Sequence, residues 1–216
     1  MSCDHSAFHS GMTRYTPDTR ELQMVLVCDE CGAERAHLGA VDYLPNPRLL
    51  IGQLAELTAR RLGLAEGHAA RVRFAALVCA MGRELTPRDI LDKGGPLSEQ
   101  EWQEVRRQPE LAAAELGPAA GMTDIREWVL CHRERPDGGG YPRALVDGQI
   151  PRESRILGVV EAYMAMTSER PYRATRDHAD ACRELARCGG AQFDAEVVDA
   201  FIRASHERDP QPALAA

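Results

Sequence analysis

From Pro47 onward the apolar residues of this chain recur at helical spacing, segment after segment, to about residue 206. That pattern restricts this part of the chain to helices packed face to face, because a 3.6-residue apolar period buries one stripe and leaves the other side in water. Leu49, Leu50, Leu54, Leu57 and Leu62 fall on one face, and Gly63 ends the run. His68 to Met81 is apolar enough to predict a buried helix. Thr86-Pro87 reads as an N-cap followed by proline at the first helical position. Ser98 and Glu101 have the capping-box spacing and open a helix towards Leu116. Further helices are predicted from Thr123 or Asp124 through Trp128 to His132, and from Pro151 to Thr167 with Ile156, Leu157, Val159, Val160 and Tyr163 inside. Two more run from an Asp177 cap to Cys188 and from an Asp194 cap to about His206. Residues 135–150 are a Gly/Pro loop, and residues 207–216 are a loose tail. The expected fold class is mainly α, a helical bundle over 48–206 preceded by a small β module.

Residues 1–44 read differently. Glu21 to Cys28 is a β-like run, Ala36 to Tyr43 can pair back with it, and Pro45-Asn46-Pro47 breaks the chain behind them. Cys28-Asp29-Glu30-Cys31-Gly32 has the form of a zinc knuckle, in which two thiolates two residues apart and a glycine turn tightly around one ion. Cys3 and His5 offer the second pair, so Cys3, His5, Cys28 and Cys31 are the expected ligands of one structural zinc, with His9 as a substitute for His5. A module of this size builds little core, and a metal explains how it folds. The competing readings are incidental surface thiols and a redox pair. No βαβ pattern surrounds the pair, and Asp29 and Glu30 oppose a thiolate.

Composition excludes some functions. A formal charge of −7 argues against a DNA-binding protein. No run of 18 apolar residues exists, so no membrane span is expected, and Met1 to His5 has no signal-peptide features, which points to the cytoplasm. Seven cysteines in that compartment are free thiols or metal ligands.

The chemistry-bearing stretch is Cys131-His-Arg-Glu-Arg-Pro-Asp-Gly-Gly-Gly-Tyr-Pro142. It resembles the H-H-E-x-x-D-G-x-G-Y-P signature of the HD-GYP family. In register with it, Ile156 to Arg173 (ILGVVEAYMAMTSERPYR) is similar to the family's I-L-x-V-x-D-x-Y-D-A-x-T-S-x-R-P-Y-R, and Gly189 to Asp194 to its G-x-Q-F-D ending. Upstream, Ala75 to Arg83 (AALVCAMGR) sits where the family reads A-A-L-L-H-D-I-G-K. The resemblance covers roughly 48–206 and implies an HD-superfamily helical bundle around two or three metal ions that hydrolyses cyclic di-GMP. Ions of that kind take imidazole and carboxylate ligands, bridge a hydroxide and polarise the phosphate.

Against that family this chain departs at the metal ligands. The His-Asp pair is Cys79-Ala80, the His of His-Pro is Gln108, the second His of His-His-Glu is Arg133, and the early-helix His falls near Pro47. The remnants are His132, Glu134, Asp137 and Glu161, the last in place of an aspartate. A guanidinium ~4 Å from a divalent ion costs several kcal/mol at an effective dielectric of about 20. The expectation is therefore no bimetallic centre and no catalytic residue. A single softer ion on Cys79, Cys131, His132 and Glu161 is the weighed rescue, disfavoured because neighbouring helical residues such as Cys131 and His132 point roughly 100° apart. Its rival is a small Cys79 filling the old cavity.

Phosphate-binding parts are better kept. Arg170 and Arg173 match positions that the resemblance places on the dinucleotide phosphates, with Arg133 and Tyr141 as further candidate contacts. The rival reading is that Arg170 caps a Glu or carbonyl groups and the glycine-rich loop merely packs. Three functions follow. The first is a catalytically degenerate module of bacterial second-messenger signalling. It would sense a cyclic dinucleotide, or dock a protein partner such as a diguanylate cyclase through the loop 137–151. The second is a phosphohydrolase, a cyclic di-GMP phosphodiesterase with an altered metal site. The third is a structural subunit of an oligomer such as a homodimer.

Overall fold

Helix α7 (Arg152–Thr167) packs against five other helices in the computed structural model. The structure describes residues 10–16, 21–27, 34–42, 47–117, 121–168 and 174–207. Ile156, Leu157, Val159 and Val160 of α7 are fully enclosed, as their spacing predicts. They meet α1 (Pro47–Arg61), α2 (Glu66–Glu84), α6 (Thr123–Leu130), α8 (His178–Arg187) and α9 (Ala195–Glu207). Ala55, Val72, Val78, Val129, Leu185 and Phe201 complete the buried centre. Each large apolar side chain removed from water contributes roughly 1.5–3 kcal/mol, so the bundle is held by this core more than by helix propensity.

Caps behave as their residues dictate. The Ser98 side chain accepts from the Glu101 amide while the Glu101 carboxylate accepts from the Ser98 amide. Asp177 accepts from the Asp180 amide, and Asp194 from the amides of Glu196 and Val197. Among the described residues no helix is long and apolar enough to cross a membrane.

Three local expectations need correction. The helix expected from Ser98 to Leu116 is two helices, α4 (Glu99–Arg106) and α5 (Gln108–Glu115). Pro109 is the reason: it has no amide hydrogen, and its ring excludes the carbonyl four residues back, so it can only start a new helix. Thr86 does not cap a helix. Its buried hydroxyl accepts from the Gln108 side chain at 2.7 Å, and the short α3 (Arg88–Leu91) begins without a side-chain cap. The helix through Trp128 stops at Leu130, because the Glu134 amide turns back to the Cys131 carbonyl and the His132 ring takes that of Val129.

At the N-terminal end β1 (Ser10–Thr16), β2 (Glu21–Val27) and β3 (Glu34–Asp42) form an antiparallel sheet in that order. Glu21 of β2 pairs with Thr16 on one side and Asp42 on the other. The sequence reading anticipates β2 and β3 but not β1. Cys3, His5, His9, Cys28 and Cys31 lie outside the described residues.

Candidate functional site

Three elements converge on one buried charge cluster. α7 contributes Glu161, α2 contributes Cys79 and Ala80, and the turn after α6 contributes His132 and Arg133. The His132 Nδ1–H donates to the Val129 carbonyl at 2.5 Å, which fixes the ring and turns Nε2 towards Glu161 Oε2, 3.1 Å away. Arg133 donates to Glu161 Oε1 at 2.6 Å. Its Nε is buried without a hydrogen-bond partner, while 32 % of the side chain is exposed. Glu161 Oε2 lies within ion-pair range of the imidazole but off the line of a hydrogen bond. Gly158 makes this closeness possible, since a Cβ there would stand 2.9 Å from the His132 carbonyl. A divalent ion would find one imidazole nitrogen and one carboxylate here, with a guanidinium already seated on the carboxylate. Among the described residues no group of three or more His, Cys, Asp or Glu is placed to hold a metal ion.

The charges sustain one another. Burial alone would raise the Glu161 carboxyl, but Arg133 and then His132 hold it at about 2 instead of 4.5. Burial works against a charged His132, yet the Cys79 sulfur and the Glu161 carboxylate outweigh it and raise the imidazole well above its usual 6.5. Glu161, depressed on folding, stabilises the protein fully above pH about 4.5, and this is lost as pH falls towards 2. His132, raised on folding, stabilises fully below about 6.5, and this is lost as pH climbs to its folded value. Melting temperature is therefore expected to peak between pH 5 and 6 and to fall by roughly 5 °C by pH 9. His132→Gln should flatten the alkaline limb; an unchanged slope in that variant would assign it to another group. Cys131, also buried, is pushed up to about 12 by burial and Glu127, so it remains a thiol donating weakly to that carboxylate.

The other two remnants are engaged elsewhere. Glu134 accepts the amides of Arg143 at 2.6 Å and Leu145 at 2.9 Å, so it holds the Gly/Pro loop in shape. Asp137 accepts from the Arg135 guanidinium and, at 2.9 Å, from the Gly139 amide. Gly140 is pressed on backbone: a Cβ would meet Arg135 N and Glu134 Cα at 2.5 Å and Arg133 O at 2.6 Å. The Tyr141 amide then returns to the Arg133 carbonyl, which ties the loop to the charge cluster. Arg155 anchors the far end of the loop, donating to the carbonyls of Asp147 and Ile150 and, at 2.6 Å, to Asp194.

Above the cluster opens a cleft of about 1170 Å³. Ala80, Gln108, Glu161 and Arg133 line its floor, α3 and α4 one wall, and Gly139 and Tyr141 the other. Burial pushes the Tyr141 hydroxyl above its usual value, so it is a neutral donor. The lining carries Arg83, Arg88, Lys93, Arg133 and Arg135 beside Asp92, Glu134 and Glu161, with Lys93 paired to Glu101, Arg135 to Asp137 and Arg133 to Glu161. Of the predicted contacts, Arg133 and Tyr141 thus share one cleft with Glu134 and Glu161. Asp137 stands just outside it, holding the lining residues Arg135 and Gly139, and His132 lies beneath the floor. Ser168, at the end of α7, is in the lining, whereas Arg170 and Arg173 lie outside the described residues.

The pattern of the HD-domain family matches residues 21–197, most of the chain. The chain belongs to the HD-domain family. The matched span starts inside β2 and so includes part of the sheet. Over 160 residues it is 31% identical to the 3′3′-cGAMP-specific phosphodiesterase 1 of Vibrio cholerae, covering 73% of this chain and 37% of that protein. It is likewise 31% identical over 160 residues to a cyclic di-GMP phosphodiesterase of Thermotoga maritima, covering 73% and 43%. This HD domain thus spans about two fifths of the length of these relatives. In fold it resembles an HDG"Y"P protein from Bdellovibrio bacteriovorus, with TM-score 0.61 at 13% identity over 74% of this chain and 51% of that one. The homology is to phosphodiesterases of the HD-GYP type, and as descent it favours the phosphohydrolase expectation over the non-catalytic one.

Sequence reasoning missed Trp102, Arg155 and the Thr86–Gln108 bond. Trp102 carried a signal, a single aromatic in the mostly charged stretch Glu99 to Arg107. Arg155 and Thr86 carried none, since their partners are distant in sequence.

Proposed function

We propose that this HD domain recognises a cyclic dinucleotide in the cleft above Glu161 and does so without hydrolysing it, in bacterial second-messenger signalling. The observation that carries the proposal is the Arg133–Glu161 pair on the cleft floor, with about a third of the Arg133 side chain open to the cleft. The exposed third of the Arg133 side chain offers a phosphate oxygen a guanidinium, and the neutral Tyr141 hydroxyl supplies a second donor. The same pair speaks against a two-metal centre, because the one carboxylate that could bridge ions is neutralised by a fixed cation. Gln108 and Ala80 supply no anionic ligand to replace it. Zinc on Cys3, His5, Cys28 and Cys31 completes the proposal as a purely structural ion.

Hydrolysis is the second reading, favoured by the relatives that are named as phosphodiesterases. Calorimetry on the full chain separates the two. Saturable binding of cyclic di-GMP or 3′3′-cGAMP is expected, with no turnover of either and with Arg133→Gln binding roughly 10- to 100-fold more weakly. The same preparation should carry about one zinc per chain. Turnover that disappears in His132→Ala would restore the hydrolase, and no heat at high protein concentration would leave a scaffold role.

A further inference from the structure

Trp102 stands out from the other tryptophan. Trp128 is 5 % exposed, with the Arg71 guanidinium 5.1 Å from its ring and His68 tilted against it. Trp102 is 43 % exposed, and it faces the cleft from α4, a helix that buries none of its residues. An indole this open, on a helix that buries none of its residues, is not placed by the core.

Its backbone is nevertheless held within a capped helix. The Trp102 amide donates to the Ser98 carbonyl at 2.9 Å, one turn back at the capping box. Glu101, next to it, receives Lys93 on both carboxylate oxygens at 2.6 and 2.8 Å and the Ser98 amide at 2.6 Å. Lys93 and that amide hold the Glu101 carboxyl at about 2, so the cap persists through the physiological range. The result is a positioned aromatic face on the wall of a cleft that also holds the Arg133 guanidinium.

Phosphates and a flat aromatic ring are the two components of a nucleotide. We infer that Trp102 is the stacking platform for one nucleobase of the cyclic dinucleotide bound in this cleft, with its phosphates towards Arg133. The inference rests on the binding reading above, and it stands whether or not the ligand is hydrolysed.

The chain contains two tryptophans, which makes the test direct. Titrating 3′3′-cGAMP or cyclic di-GMP into the full-length protein should quench the exposed tryptophan, while Trp102→Phe should bind within a few-fold of wild type and show no quench. Trp102→Ala should bind roughly 10- to 100-fold more weakly by calorimetry, the usual loss for one base–aromatic stack. Circular dichroism on both variants should match wild type, since the side chain is exposed. Persistence of the quench in Trp102→Phe would place the reporter at Trp128 and overturn the platform. So would unchanged affinity in Trp102→Ala while Arg133→Gln is weakened, a result that leaves the cleft reading standing. Absence of any heat with wild type would overturn both together.

Discussion

Glu161→Ala is expected to cost about 3 kcal/mol of folding stability, seen as a drop of roughly 6–12 °C in melting temperature. The change removes the one carboxylate that compensates two buried positive groups, Arg133 and His132. Breaking a buried pair from one side usually costs about 3–5 kcal/mol. The lower end applies because about a third of the Arg133 side chain already reaches the cleft and can swing into water. His132 can also shed its proton once the carboxylate is gone. Replacing both partners by methionine tests this account, since an apolar pair of similar volume leaves no stranded charge and should return to within about 1 kcal/mol of wild type. A single variant within about 0.5 kcal/mol of wild type would mean that the pair is no more than a surface ion pair.

Gly140→Ala should be comparably damaging, at roughly 3 kcal/mol, and should weaken dinucleotide binding as well. The added methyl meets main-chain atoms of Arg133, Glu134 and Arg135 at 2.5–2.6 Å, and backbone cannot rotate aside as a side chain can. To admit it, the loop must withdraw from the turn that presents Arg133 and Tyr141. Gly148→Ala is the control: nothing lies within 4 Å of its Cβ position, and the residue is exposed, so stability should stay within about 0.5 kcal/mol. Equal melting of the two variants would show that the packing at Gly140 is not tight in solution.

The helices were legible wherever a local rule acts alone. The buried stripe of α7 follows from its spacing, and the Ser98, Asp177 and Asp194 caps follow from side chains reaching amides two or three residues on. Legibility failed where a distant partner won. Thr86 looks like a cap in sequence, but its hydroxyl is taken by Gln108, 22 residues away. The break at Arg107 follows from Pro109, a local signal that the sequence reading passes over. For the site, the resemblance brought Arg133, Tyr141, Glu134 and Glu161 to one cleft, yet it could not say that Glu134 serves the loop backbone instead of an ion. A ligand motif gives residue types, and only their hydrogen bonds tell which task each one performs.

The Arg155 clamp fixes the mechanical character of the cleft. It fastens the loop at Asp147 and Ile150 to Asp194, the cap of α9, which itself packs on α1 and α7. That wall is stiff, moving only if the core of the bundle moves. α3 and α4 bury no residue, so they are held to the bundle less firmly than the loop, although the cap keeps α4 itself intact. The cleft is a vice with one fixed and one sprung jaw. Amide exchange on the α3–α4 side should be the first to slow when the cleft is filled, while the glycine-rich loop scarcely registers the change.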